Sequence, residues 1–177
     1  MRQLTEIHRA ASEANLSFLL IGGWAVCAHG YARLTEDLDL LTQKEDREKW
    51  ATMLATLGYT ARHQPSPFGQ WAPPETERTF TVLDVMFVNE STFLQMNAAA
   101  KEVSVEGSPA RIPSLEHLFA LKIHAIRFGG ERRKMKDYID VTYLIEINQV
   151  DPKSEWFRNV CLKYGTPEIY ERLRGKN

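Results

Sequence analysis

Three aspartates carry the chemistry that this chain could perform. Asp37 and Asp39 stand in the run Glu36-Asp37-Leu38-Asp39-Leu40-Leu41, and Asp84 interrupts the apolar run TFTVLDVMFV from Thr79 to Val88. Side chains of an extended strand alternate between faces, so Asp37 and Asp39 share one side and Leu38 and Leu40 the other. Two carboxylates that close repel each other, and a cation between them relieves the repulsion; hard oxygen ligands suit Mg²⁺. The flanking leucines predict a strand buried on at least one face. The second run is apolar on both faces, as a central strand is. A lone buried carboxylate there costs on the order of several kcal/mol, so Asp84 either pairs with an arginine such as Arg78 or Arg111 or coordinates an ion. With the two strands side by side, three carboxylates could hold two divalent ions.

The elements that must position these acids follow from periodicity and punctuation. Leu4, Ile7, Ala11 and Ala14 predict an amphipathic helix over residues 3 to 14. Phe18 to Ile21 is an apolar run stopped by Gly22-Gly23, read as a buried strand entering a tight turn. A short helix from Trp24 to Ala28 should follow, with free N–H groups at its start that favour an anion. Residues 44 to 57 form a charged amphipathic helix ending at Gly58, and Tyr59 to His63 a further strand. The Pro- and Gly-rich segment 64–75 is expected to be a loop or irregular hairpin. Phe93 to Ala100 reads as helix, Glu102 to Glu106 as a short strand and Gly107-Ser108-Pro109 as a turn.

Ser114 should cap a helix from Leu115 to Phe128. Lys122 falls in its apolar stripe, where it either snorkels outward or reaches an enclosed anion, and Arg127 is a weaker companion. After Gly129-Gly130 comes a helix whose buried face is expected at Met135, Tyr138, Ile139, Thr142 and Ile145. Arg132, Arg133, Lys134 and Lys136 crowd its start, where the dipole disfavours cations. Either local pairs, Arg133 with Asp137 and Lys136 with Asp140, or a nearby phosphate or RNA backbone should compensate. Asp151-Pro152 and Thr166-Pro167 should open two closing helices, with Arg172, Arg174 and Lys176 in a solvated tail.

Composition sets the outer bounds. The 177 residues are 44% hydrophobic and 25% charged, which suits one globular domain with a real core. A net charge of −1 supplies no global field toward nucleic acid or membrane, so any anion site is local. Cys27 and Cys161 are too few and too far apart for a thiol metal site and read as reduced thiols. Without a signal-like or membrane-spanning apolar run, the expected location is cytoplasmic.

In order along the chain, Ile21-Gly22-Gly23, thirteen intervening residues, Asp37-Leu38-Asp39-Leu40 and then Leu83-Asp84-Val85 resemble the nucleotidyltransferase superfamily, the polymerase-beta-like fold. Many relatives carry serine where this chain has Gly23, so backbone N–H groups must bind phosphate there. His29-Gly30, Arg33-x-Thr35-x-Asp37 and Lys136-Asp137-x-x-Asp140 are similar to the AbiEii-type toxin branch, which also has a helix lysine at the place of Lys122. The resemblance implies an α/β (α+β) fold: a small mixed sheet flanked by helices over residues 1–110, with a C-terminal helical segment over 111–177 packed on it. It implies transfer of a nucleoside monophosphate from an NTP to an acceptor hydroxyl, with Mg²⁺ or Mn²⁺ on Asp37, Asp39 and Asp84. Asp84 would take the acceptor's proton. Lys122 would join these acids in catalysis, and Gly22, Gly23, Arg33, Thr35, Lys122, Arg127, Lys136 and Asp137 would line the nucleotide. The acceptor implied is an RNA or tRNA end, with an antitoxin as a possible protein partner and no membrane. The opening Gly22-Gly23-Trp24-Ala25 is also similar to antibiotic nucleotidyltransferases, which act on a small molecule. An inactive nucleotide- or partner-binding homologue is a further alternative, against which the presence of all three acids argues.

Overall fold

The computed structural model describes residues 1–175, and Lys176 lies outside the described residues. In chain order the elements are α1 (Arg2–Glu13), β1 (Leu19–Leu20), α2 (Gly22–Ala28), β2 (Leu38–Gln43), α3 (Arg47–Thr56), β3 (Thr60–His63), β4 (Phe68–Ala72), β5 (Leu83–Val88), α4 (Glu90–Ala98), β6 (Lys101–Val105), β7 (Ser108–Ile112), α5 (Leu115–Phe128), α6 (Glu131–Ile147), α7 (Glu155–Tyr164) and α8 (Pro167–Arg174). They form two compact units. One comprises Met1–Ala25 with Arg33–Pro113, and the other comprises Val26–Ala32 with the residues from Ser114 onward.

The first unit is built on a five-stranded mixed sheet in the order β1-β2-β5-β4-β3, with β5 at its centre. β2 and β5 run parallel, and the other neighbours are antiparallel. One face is closed. Leu38, Leu40, Leu83, Val85, Phe87 and Trp71 are all buried there. Thr42 shares that side, where it accepts from the Trp50 indole N–H of α3 at 3.1 Å and donates to the Ser17 carbonyl at 2.8 Å. On α1, buried Gln3 meets every polar need locally: its amide donates to the Tyr59 hydroxyl and the Thr81 carbonyl, and its oxygen accepts from Thr81 N–H. Such pairing is what makes a buried amide tolerable.

Several expectations are narrowed or corrected here. Segment 64–75 is the irregular hairpin and not the loop: it holds a strand, β4, that pairs with β3 across a register shift and with β5 on its other side. Prolines bracket Phe68–Ala72 without entering it, so the ladder survives. Ser108 and Pro109 belong to β7; the turn is Glu106-Gly107, both at positive φ (46° and 79°). Residues 44–46 form a 3₁₀ turn before α3.

In the second unit α5 packs against α6, α7 and α8. Ser114 caps α5 by accepting from His117 N–H, and Thr166 caps α8. Asp151-Pro152 opens a turn; α7 starts later, after Ser154. The expected inner face of α6 holds in part: Tyr138, Thr142 and Ile145 are half-buried. Its buried residues are Asp137, Asp140, Val141 and Leu144, whereas Met135 is 58% exposed and Ile139 is exposed as well. Arg172 and Arg174 are exposed, as a solvated tail requires, but they stand on α8, where the Arg172 guanidinium lies 4.1 Å from the Tyr138 ring centre and Arg174 pairs with Glu171. Among the described residues no helix is long and apolar enough to cross a membrane.

Candidate active site

The parallel pairing of β2 with β5 aligns Asp39 directly with Asp84. Paired residues of neighbouring strands project to the same face, so the two carboxylates stand side by side on the sheet face opposite the closed one. Both are half-buried. On the other flank of Asp84, β4 brings Gln70 into register, and its amide donates to Asp84 Oδ1 at 2.9 Å. His63 pairs with Gln70 across β3 and β4 and extends the same face. Arg111, one of the arginines considered for Asp84, directs both terminal nitrogens to Asn97.

Asp39 is held from the opposite side by the glycine turn. Ile21 N–H donates to the Asp39 carbonyl oxygen at 2.9 Å, which ties the end of β1 to β2. Gly22 then turns at φ +62°, and a Cβ there would lie 2.0 Å from Asp39 Oδ2. Only a residue without a side chain leaves the carboxylate its place. Gly23 is occluded differently: a Cβ on it would meet Thr35 Oγ1 at 2.2 Å and the Arg33 guanidinium at 3.1 Å. The loop that precedes β2 therefore folds Arg33 and Thr35 over the turn. The Thr35 hydroxyl fills the volume that a serine side chain at position 23 would need, which is the physical reason this turn carries two glycines. Thr35 also lines a cleft of about 280 Å³ with Trp24, Glu36, Arg2 and Phe80.

The donor chemistry of Asp37, Asp39 and Asp84 fits a hard divalent cation. Asp39 and Asp84 are aligned for it, while Asp37 precedes β2 and is exposed. Among the described residues no three His, Cys, Asp or Glu side chains converge on one point, so a metal would have to draw Asp37 in.

The remaining expected residues lie in the second unit. Lys122 is buried, and its ammonium donates at 2.7 Å to both Asp137 Oδ1 and Asp140 Oδ2. Of the two readings of Lys122, snorkelling outward or reaching an enclosed anion, the second holds, and the anions are the protein carboxylates Asp137 and Asp140, which tie α5 to α6. Among the described residues Asp137 Oδ2 has no hydrogen bond, and the Arg133 Nε lies 3.7 Å from it. Arg127 donates to the Gly165 carbonyl at 3.1 Å and lies over the Phe128 ring, whereas Lys136 is exposed.

Sequence reasoning missed Gln70 and the pairing of Lys122 with Asp140. Gln70 carried no period-2 signal, because Phe68 and Trp71 stand three apart and fall on opposite faces of the strand; for the lysine pair, the i, i+3 spacing of Asp137 and Asp140 on one helix face was usable.

No curated protein matches the chain in sequence. Among solved structures, the antibiotic-resistance factor ANT(2'')-Ia is 22% identical with a TM-score of 0.54, covering 98% of this chain and 89% of that one. The lincosamide antibiotic adenylyltransferase LnuA, with lincomycin bound, is 17% identical (TM-score 0.58; 82% of this chain, 96% of that one). An antigenic nucleotidyltransferase-like protein from Paracoccidioides brasiliensis is 15% identical (TM-score 0.59; 99% and 92%). At these identities the likeness is one of fold, the nucleotidyltransferase fold. Residues 6–176 match the family described as nucleotidyl transferase AbiEii toxin, Type IV TA system. Aligned acids, a glycine turn pressed on one of them and a match over nearly the whole chain lead to one assignment: this protein belongs to the AbiEii nucleotidyltransferase family.

Proposed function

We propose that the protein transfers a nucleoside monophosphate from an NTP to a hydroxyl at an RNA end. The observation that carries the transfer chemistry is the alignment of Asp39 with Asp84 beside the Gly22 turn, and the RNA end rests on the resemblance to AbiEii-type toxins. In the proposed reaction the acceptor hydroxyl gives its proton to Asp84 as its oxygen bonds to the α-phosphorus. The bond from that phosphorus to the oxygen bridging to the β-phosphate breaks, and pyrophosphate leaves with the electron pair. Gln70 holds the orientation of the Asp84 carboxylate through its 2.9 Å hydrogen bond. Backbone donors of Gly22 and Gly23, with Arg33 and Thr35 folded over them, receive the distal phosphates. A Mg²⁺ or Mn²⁺ ion on Asp37, Asp39 and Asp84 would supply Lewis-acid neutralisation of the phosphate charge.

The family's description as a toxin of a Type IV system supports an antitoxin protein as a further partner. The test is incubation with each labelled NTP, Mg²⁺ and total RNA, and in parallel with aminoglycosides and lincosamides. Label should enter RNA, and Asp39→Ala and Asp84→Asn should lower transfer by at least about a hundredfold with the far-UV circular dichroism unchanged. Label on an antibiotic and none on RNA would assign the acceptor to the antibiotic class. Full transfer by Asp39→Ala would refute the mechanism.

A further inference from the structure

The outward face of α6 has a composition that packing inside the fold does not explain. At about 100° per residue, Arg132, Met135, Lys136, Ile139, Tyr143 and Ile147 fall within an arc of about 120°, and all six are exposed. The cations lie toward the helix start and the apolar groups toward its end. Lys134 is paired with Glu131 and Arg133 approaches Asp137, but Arg132 and Lys136 have no ion pair among the described residues. Unpaired cations at a helix N-terminal end oppose the dipole, and an anionic ligand would relieve this. Beside them, Tyr143 stacks on Tyr31 with ring centres 4.3 Å apart and planes 13° from parallel. Phe128, 65% exposed, precedes the glycine pair that leads to the cations. Arg133 runs past that break, 3.5 Å from where a Cβ on Gly129 would stand.

Flat, pre-stacked rings in line with unpaired cations suit a chain that alternates planar bases with phosphates. Single-stranded RNA has that chemistry: bases stack on aromatic rings whatever their sequence, and phosphates meet Arg and Lys. We propose that this face of α6 docks a single-stranded segment of the RNA acceptor, with phosphates at Arg132 and Lys136 and a base on the Tyr31–Tyr143 pair. The strip from Arg132 to Tyr143 is about 16 Å long. This inference rests on RNA being the acceptor. A protein segment could cover the apolar half, yet it would leave the two cations uncompensated unless it were itself acidic.

The test uses the full chain, with Arg132→Glu and Tyr143→Ser as exposed substitutions outside the acid and glycine cluster. Binding of a fluorescent RNA hairpin with a single-stranded 3′ tail is followed by anisotropy across a salt series, and Mg²⁺-dependent NTP binding is followed separately. Tyr143→Ser should weaken binding of the tailed hairpin about tenfold and binding of the blunt hairpin little. Arg132→Glu should weaken binding and reduce the dependence of log affinity on log salt by about one contact. NTP binding should be unchanged in both. If the wild type binds and labels the RNA and both variants bind it equally well, the docking strip is refuted while the RNA reading stands. If the wild type neither binds nor labels RNA, and the strip instead captures an acidic protein, the RNA reading fails and this inference falls with it.

Discussion

Gly22→Ala tests the central geometry most directly. The new Cβ would lie 2.0 Å from Asp39 Oδ2, 2.5 Å from Cγ and 2.7 Å from Asp39 Cβ. Because the last of these atoms is fixed by the backbone, no rotation of the Asp39 side chain clears the clash. Restoring an ordinary carbon contact of about 3.5 Å requires the turn and β2 to separate by roughly 0.8 Å. They are pinned together by the Ile21 N–H to Asp39 carbonyl bond and by the β1–β2 pairing. The left-handed backbone at φ +62° adds about 1–2 kcal/mol for a residue with a side chain, and overpacking adds about 1–3 kcal/mol. Together these lower the melting temperature by roughly 4–20 °C for a chain of this size. A displacement of this order at a reacting carboxylate costs about a hundredfold in rate. Gly107→Ala is the control. Gly107 has φ +79° with nothing within 4 Å of an added Cβ, so only the backbone cost applies and transfer should be intact. The assays are thermal melts by circular dichroism and labelled-nucleotide transfer. If Gly22→Ala melts with Gly107→Ala and transfers at the wild-type rate, the close packing of the turn on Asp39 is refuted.

Three further outcomes follow from buried groups. Lys122→Met leaves Asp137 (3% exposed) and Asp140 (0%) without their cation; unfolding in urea should show a loss of about 3–5 kcal/mol, and a loss under about 1 kcal/mol would contradict the triad. Burial pushes the Tyr59 phenol up to about 12 even though the Gln3 hydrogen bond pulls the other way. The folded state therefore keeps the proton longer than the unfolded chain, so this contribution to stability is complete below about pH 10 and is lost as pH rises toward 12; absorbance at 295 nm should show one tyrosine ionising with unfolding. Burial also pushes the Cys161 thiol up to about 12, so at pH 8 a disulfide reagent should reach it only after denaturation, and equal reactivity in native and denatured protein would refute its burial.

The local parts of this site are readable from residue order. Leu38-Asp39-Leu40 alternates over a single strand, and Gly22-Gly23 punctuates a single turn. Neither requires a partner to be seen. The alignment of Asp39 with Asp84 depends on which strands pair and in which register, and no local pattern states that. Segment 64–75 stays open between a loop and a hairpin in the sequence because Pro65, Pro67, Pro73 and Pro74 surround β4 and resemble loop composition. The inner face of α6 was misjudged in part, for a different reason. Hydrophobic periodicity assigns Met135 and Ile139 to the interior, but Asp137 and Asp140 turn inward because Lys122 waits there, and a paired charge can replace an apolar contact. The exposed Met135 and Ile139 are the other side of that exchange.

The shared register of β2 and β5 divides the unit in one more way. Asp39 and Asp84 lie on adjacent strands, and the whole excursion of residues 44–82, with α3, β3 and β4, leaves from one strand and returns to the other. The β3–β4 hairpin touches this pair only along the outer edge of β5, where it delivers Gln70. A change in the hairpin that spares Gln70 and the β4–β5 pairing would reach neither carboxylate, whereas one that shifts Gln70 would release Asp84 Oδ1. The same hydrogen bond makes Gln70 the point at which the excursion between β2 and β5 reports on the state of the Asp84 carboxylate.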